Sequence, residues 1–266
     1  MTAFSRNRFL STLVLSAAAI AAQSSMAQPV GEAWKFTVGA GAVSHARYPG
    51  GSETEVTAMP LLSASYGRYV IGGLPGAGIP LGVGMNVLQS GPWRLGIGVG
   101  STLGKAREAA DSPRLAGLSD INGTLMGSLF GSYEAPWFAL KSHVLRDLGG
   151  KDQGTRISVE LEGKYRVNDQ LMLTAGPELT WADGRYTQTF FGVTAAQSAS
   201  SGLAAHSASS GINSVKINVG AHYKLTQHWG LGARWSAGQL RGDAANSPIT
   251  EKKSQSSVGG FANYRF

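Results

Sequence analysis

The sequence predicts an all-β fold: a transmembrane antiparallel up-and-down β-barrel of about 12 strands, with short periplasmic turns and long extracellular loops. Three observations carry that reading. Segment after segment alternates apolar and polar residues at period two. The connections between segments are short and long by turns. Aromatic residues gather at one end of the segments. A soluble sandwich also alternates, but it requires neither ordered connections nor one-ended aromatics.

The chain opens with Arg6 and Arg8, an apolar run from Phe9 to Ala22, then Ser25, Met26 and Ala27. This is the layout of a cleaved secretory signal over residues 1–27. The run is too short to span a bilayer as a helix, and the absence of Cys before the cut excludes a lipoprotein. Residues 28–266 read as a single outer-membrane barrel domain with no second long apolar run. There is no Cys, so no disulfide staples the exported chain. The net charge of +7 would suggest nucleic acid for a cytosolic protein. An exported chain meets outer-membrane lipid, lipopolysaccharide and cell-wall polymer instead.

Twelve alternating segments follow, near 34–43, 55–66, 68–73, 81–89, 93–101, 122–133, 137–146, 155–166, 171–182, 212–224, 229–240 and 255–266. In the eighth, Ile157, Val159, Leu161 and Tyr165 alternate with Arg156, Ser158, Glu160, Glu162 and Lys164. In the tenth, Val215, Ile217, Val219 and Tyr223 alternate with Ser214, Lys216, Asn218, His222 and Lys224. The third is the shortest, because Gly72 and Gly73 interrupt it. Even-numbered segments end in tight turns, at residues 67, 90–92, 134–136, 167–170 and 226–228. Odd-numbered ones mostly end in long loops, the longest being 102–121 and 183–211. Turns on one side and loops on the other is the outer-membrane pattern. An even count puts both ends of the barrel on the periplasmic side.

Trp34, Tyr66, Tyr69, Trp93, Tyr133, Trp137, Phe138, Tyr165, Tyr223, Trp229, Tyr264 and Phe266 all fall at the turn ends. Amphipathic rings collect at a headgroup boundary. Trp181 and Tyr186 are expected in the outer girdle. In the last segment Val258, Gly260, Ala262, Tyr264 and Phe266 form one face, and Phe261 is the one apolar residue on the other. Tyr264 and Phe266 end that outward row, so they are expected to be the insertion signal read by the barrel-assembly machinery.

The residues become more specific after Thr180. Trp181, Asp183, Arg185, Tyr186, Phe190, Phe191 and Gly192 lie in one loop stretch, followed by 228–233, 240–249 and the terminal Tyr264-Arg265-Phe266. Upstream, 48–52 and 115–121 add to the match. This chain resembles the MltA-interacting protein (MipA/OmpV) family across essentially all of 28–266. The resemblance implies an outer-membrane barrel without a catalytic motif. It also implies, from the best-known member, a scaffold linking a lytic transglycosylase to a penicillin-binding synthase in peptidoglycan remodelling.

By parity Lys141, His143, Arg156, Glu160, Glu162, Lys164, Glu178, Lys216, His222, Lys224 and Arg234 point into the lumen. Charge rings of this kind select solutes in a pore. They also fill a narrow barrel as ion pairs, since buried charges must be paired. Inward glycines at 82, 84, 96, 98, 100, 230 and 232 leave room on one wall for bulky loop residues. The stretch 187–200 is helix-compatible and carries the Phe190–Phe191 pair, expected to pack at or inside the mouth.

No cofactor or metal is implied, because neither metal-ligand spacing nor a phosphate loop is present. A lipase would need Ser and His on the lipid-facing wall, and His143 and His222 have the wrong parity. Asp147, Asp183, His206 and Asp243 are the residues from which a rim protease would be built. No enzyme is expected, and the function the resemblance implies is a non-enzymatic scaffold. The alternatives are a small-solute or antibiotic-permeable channel, or an adhesin acting through its extracellular loops.

Overall fold

The computed structural model describes residues 33–266 apart from Pro75 and Leu103; the expected signal segment lies outside the described residues. The strands are β1 (Lys35–Ala46), β2 (Thr54–Tyr66), β3 (Tyr69–Leu74), β4 (Ile79–Ser90), β5 (Trp93–Ser101), β6 (Lys105–Arg107) and β7 (Ile121–Asn122). They continue as β8 (Leu125–Glu134), β9 (Phe138–Asp147), β10 (Thr155–Arg166), β11 (Leu171–Ala182), β12 (Gly211–Lys224), β13 (Trp229–Leu240) and β14 (Ser254–Arg265). Three short helices lie in the loops: α1 (Gly184–Phe191), α2 (Ala195–Ser201) and α3 (Gly242–Asn246).

Twelve strands close one antiparallel barrel, and β6 with β7 forms a separate ribbon inside the β5–β8 loop. Closure pairs the first strand with the last, with Val38 opposite Tyr264 and Ala42 opposite Gly260. The ladder runs to the end of the chain, where the Phe266 N–H donates to the Phe36 carbonyl at 3.0 Å. The thinnest part of the wall is the β2–β3 seam, which pairs only Ser63–Tyr66 with Tyr69–Gly72. Pro60 sits on β2 above that seam, where one fewer amide donor is needed.

The faces follow the alternation. On β10 Val159 is 39% and Leu161 47% exposed, while Glu160 and Glu162 are 9% and 5%. The exposed residues form an apolar belt around the sheet, and the buried ones fill its inside. Among the described residues of the barrel, three register shifts break the period, on β3–β4, β4–β5 and β11–β12. The one on β4 turns both Val87 and Leu88 outward, since a bulge adds a residue without a partner. The tight turns have their own chemistry. Asn168 Oδ1 accepts from the Gln170 and Leu171 amides at 2.9 and 2.8 Å. Thr226 Oγ1 does the same for His228 and Trp229 at 3.2 and 2.9 Å.

Face assignment is testable at neighbouring positions. Val159→Arg puts a charge in lipid near mid-strand and should cost roughly 2–4 kcal/mol of folding free energy in vesicles. Ser158→Asn stays in the lumen, uncharged, where the Thr180 hydroxyl 3.1 Å from Ser158 Oγ can bond its amide. It should cost less than about 1 kcal/mol, in the range of an ordinary polar pair. Equal losses from the two variants would place Val159 inside.

Candidate functional site

The lumen holds a ladder of ion pairs along the β8–β13 wall. Nearest the tight turns Lys164 pairs with Glu134. Above them Lys141 Nζ lies 2.7 Å from Glu162 Oε1. At mid-height Arg234 Nη2 meets Glu160 Oε1 at 2.5 Å and Glu178 Oε2 at 3.9 Å. The Asn218 amide joins both carboxylates, at 2.9 and 3.0 Å, and accepts from Ser236 Oγ at 2.6 Å. Lys216 Nζ stands 3.9 Å from Glu178 Oε1. This network links β10, β11, β12 and β13, four neighbouring strands of one wall. Neighbours at i and i+2 on one strand share a face, which brings Glu160 and Glu162 inward together.

The opposite wall is filled by hydrocarbon. Leu74, Ala77 and Ile79, from the short β3–β4 connection, bury against Met126, Phe130 and Leu145. Ser128 Oγ holds the insertion by donating to the Ala77 carbonyl at 2.8 Å. These side chains occupy the space left by Gly82, Gly84, Gly96, Gly98 and Gly100. Phe261 does the same over Gly232. Gly78 is required twice over: its φ is +69°, and a Cβ there would lie 2.9 Å from Leu145 and 3.2 Å from His143. His143 Nε2 is buried with no hydrogen-bond partner among the described residues. His222 is half-buried on β12, and Lys224 is exposed at the turn end of that strand.

Above the barrel the loops are tied into a cap with cores of its own. One core joins Tyr48, Leu115, Leu118, Val193 and Ile249. The other joins Ile121, Ala182, Tyr186, Phe190, Phe191, Leu240, Ala244 and Ala245. Arg107 Nη1 donates to the Phe190 carbonyl at 2.8 Å and Ser247 Oγ to the Phe191 carbonyl at 2.5 Å. Burial lowers the Arg107 guanidinium to about 10, so it is still charged at neutral pH. Glu251 fastens three loops. It accepts from the Ser52 amide at 3.1 Å, from the Ser52 hydroxyl, and from Ser112 Oγ at 2.6 Å. Partial burial works against its charge, but the bonds from Ser112 and Ser52 outweigh it and hold the carboxyl at about 2. Burial pushes the neighbouring Tyr48 phenol well above its usual value, and its hydroxyl donates to the Ile249 carbonyl at 3.2 Å.

The loop singled out in the sequence contributes to this cap. Asp183 caps α1, its Oδ1 accepting from Tyr186 N at 2.8 Å and its Oδ2 from Thr155 N at 2.8 Å. Arg185 is exposed and 3.9 Å from Asp152. Gly192 ends the helix, donating to the Gln188 carbonyl at 2.8 Å. Trp181 is half-buried at the β11 bulge. Tyr186 corrects the sequence expectation. It is 8% exposed, stacks on Phe190 at 4.4 Å and receives Arg156 Nη1 at 3.3 Å, so it lines the mouth and not the outer girdle.

The rim acids do not converge. Asp147 Oδ2 takes the Lys151 and Gln153 amides at 2.7 and 3.0 Å. The Asp243 carboxylate takes Ser209, while His206 Nε2 reaches the Asp243 main-chain carbonyl at 3.2 Å. At the tight-turn rim Tyr264 meets Trp229 at 5.2 Å and Phe266 at 4.8 Å. Between lumen network and α1 lies a cavity of about 220 Å³.

The family model described as MltA-interacting protein MipA matches residues 38–266. No curated protein matches the chain. Solved structures similar to it include a loop-deletion mutant of OmpT, an outer membrane protein of Vibrio cholerae, at 10% identity and TM-score 0.39, covering 88% of this chain and 98% of that one. The Pseudomonas putida toluene transporter TodX is similar at 9% identity and TM-score 0.41, covering 97% and 98%. The NanC porin is similar at 9% and 0.40, covering 87% and 99%.

Two outcomes test this geometry. Arg234→Met leaves buried Glu160 without a cation and Glu178 with only Lys216 at 3.9 Å, and should cost about 3–5 kcal/mol in urea unfolding from vesicles. Adding Glu160→Gln should recover part of the loss; no recovery would deny the pairing. Glu251, with its depressed carboxyl, stabilises the cap fully above its ordinary value of 4.5 and loses that contribution as pH falls toward about 2. Protease protection of the loops should therefore hold at pH 5 and drop between pH 4.5 and 2. Glu251→Gln should flatten that dependence.

Proposed function

The chain belongs to the MltA-interacting protein MipA family, and from that premise we propose that it is a non-enzymatic scaffold of the outer membrane. It docks a lytic transglycosylase and a penicillin-binding synthase at its periplasmic rim. The observation that carries this reading is the division of the molecule. An ion network lines one wall of the lumen and an inserted loop fills the other, and the outer mouth is capped. The tight-turn rim keeps its polar groups open: Lys35, Arg68, Arg166, Lys224 and Arg265 are all exposed there, with Asp169 as an opposing charge. Trp93 and Trp137 stand beside them at 53% and 70% exposure.

Such turns offer far less than the roughly 800 Å² per partner of a standard interface. The association is then weak in solution and gains from confinement at a membrane, which raises effective concentration. A positive rim also steers an acidic partner surface toward it. Lipid and lipopolysaccharide surround the belt, and the barrel-assembly machinery acts on the Tyr264–Phe266 end. The inserted loop and the cap speak against the channel reading. The ordered cap favours a second reading, contact with an outside surface through the loops.

Arg68→Glu with Lys224→Glu, both exposed, should lower capture of a lytic transglycosylase by nanodisc-held barrel about ten-fold, the weight of roughly 1.4 kcal/mol. Replacing 195–201, which forms the exposed α2, by a Gly-Ser link should leave capture unchanged. The reverse pattern would reject the periplasmic scaffold and favour the outward role.

A further inference from the structure

The cavity of about 220 Å³ beneath α1 is lined by both kinds of surface that an amphipathic anion needs. Its roof is Tyr186, Phe190 and Phe191, and Met126 and Leu240 continue the apolar side. Its polar side carries Arg156 and Lys216, and no Asp or Glu is among its lining residues. The two cations are poorly neutralised. Arg156 has no carboxylate within ion-pair distance among the described residues, and its Nε is buried without a hydrogen-bond partner. Its one side-chain contact in polar terms is Tyr186, through Nη1 at 3.3 Å and over the ring at 5.5 Å. Lys216 has only the 3.9 Å approach of Glu178, which Arg234 shares. The three cations Arg156, Lys216 and Arg234 therefore face the two carboxylates Glu160 and Glu178.

A half-buried cation without a counter-ion is costly, and a bound anion relieves that cost. Inorganic anions satisfy the charge but leave the aromatic roof unused. A cavity of ~150 Å³ lined by apolar side chains already takes benzene, so this one has room for one ring or a short alkyl chain with an acid group. We infer that the space beneath α1 is a binding site for a small amphipathic carboxylate. Its acid group lies between Arg156 and Lys216, and its apolar body lies under Tyr186 and Phe190. Guanidinium suits this task because it presents a planar fork to a carboxylate.

The test uses the full barrel in lipid nanodiscs, with empty nanodiscs subtracted, and titrates 3-phenylpropionate by calorimetry. Saturable binding is expected. Acetate and 3-phenylpropan-1-ol should bind at least ten-fold more weakly, and 3-phenylpropylamine should not bind. Arg156→Gln should weaken the acid about ten-fold and leave the alcohol unchanged, and Arg156→Lys should restore part of the affinity. Ser214→Leu, which fills the cavity from β12, should abolish binding while heat-modifiable gel mobility stays that of the folded barrel. Acid and alcohol binding alike, acetate matching the aryl acid, an unaffected Arg156→Gln, or no saturable binding of the acid would each overturn the inference. Enzyme capture at the turn rim is expected to be unaffected by these variants, so the two readings fail separately.

Discussion

A strand in hydrocarbon finds no water for its amide groups, so every edge of the sheet must be paired. In this molecule that requirement falls on β1 and β14, which are farthest apart in sequence and adjacent in space. Their register, Val38 opposite Tyr264 and Val43 opposite Gly259, fixes which residues of both strands face lipid. A slip of one residue would turn Arg265 and Asn263 outward and Tyr264 inward. Gly39 and Gly41 face into the lumen on β1, and a Cβ on either would crowd the backbone of β14. Small residues on this side of the seam thus accompany the closure.

Once the sheet is closed, its inside becomes a second problem. Charge placed there is far from bulk water and must be neutralised where it stands. The chain solves this on one wall with the Lys164–Glu134, Lys141–Glu162 and Arg234–Glu160 pairs. On the other wall it packs hydrocarbon, using inward glycines and the Leu74–Ile79 insertion. The two solutions meet at mid-height. A buried pair is weak evidence of stability, since desolvation offsets attraction, so the network is better understood as holding the register of β8–β13.

The barrel was legible in the sequence because period-two alternation is a local property that lipid enforces on every strand. Segments 155–166, 171–182 and 229–240 coincide with β10, β11 and β13 to the residue. The inward glycines were also readable as room on one wall, but that Leu74 and Ile79 fill it was not, because nothing local pairs them with Met126, Phe130 and Leu145. The cap was not. Glu251, Ser112 and Ser52 are 139 and 199 residues apart in pairs, and nothing local marks them as partners. Tyr186 was misplaced for a related reason. An aromatic near a strand end suggests a girdle, but Asp183 starts a helix there and turns the ring inward over Arg156. A sequence signal existed in the Asp183 cap position, three residues before the first donated amide.

The positive balance of the chain acquires a location from these contacts. Along the ladder each Lys or Arg faces a carboxylate, so the ladder itself contributes little net charge. Among the described residues, cations without a carboxylate partner also stand on the exposed outer loops, such as Lys151, Arg241, Lys252 and Lys253. Two further groups of weakly matched cations bear on binding. One group is on the tight turns, in water, where the cost of charge is low and the benefit is steering of a partner. The other is Arg156 with Lys216 under the α1 roof, where water is scarce and an unmatched charge has a much larger effect on what can bind. The apolar belt between them is neutral and belongs to lipid. A closed, filled barrel of this design separates its two charged surfaces by the thickness of the membrane. Each can therefore meet a different class of partner without competing for the same residues.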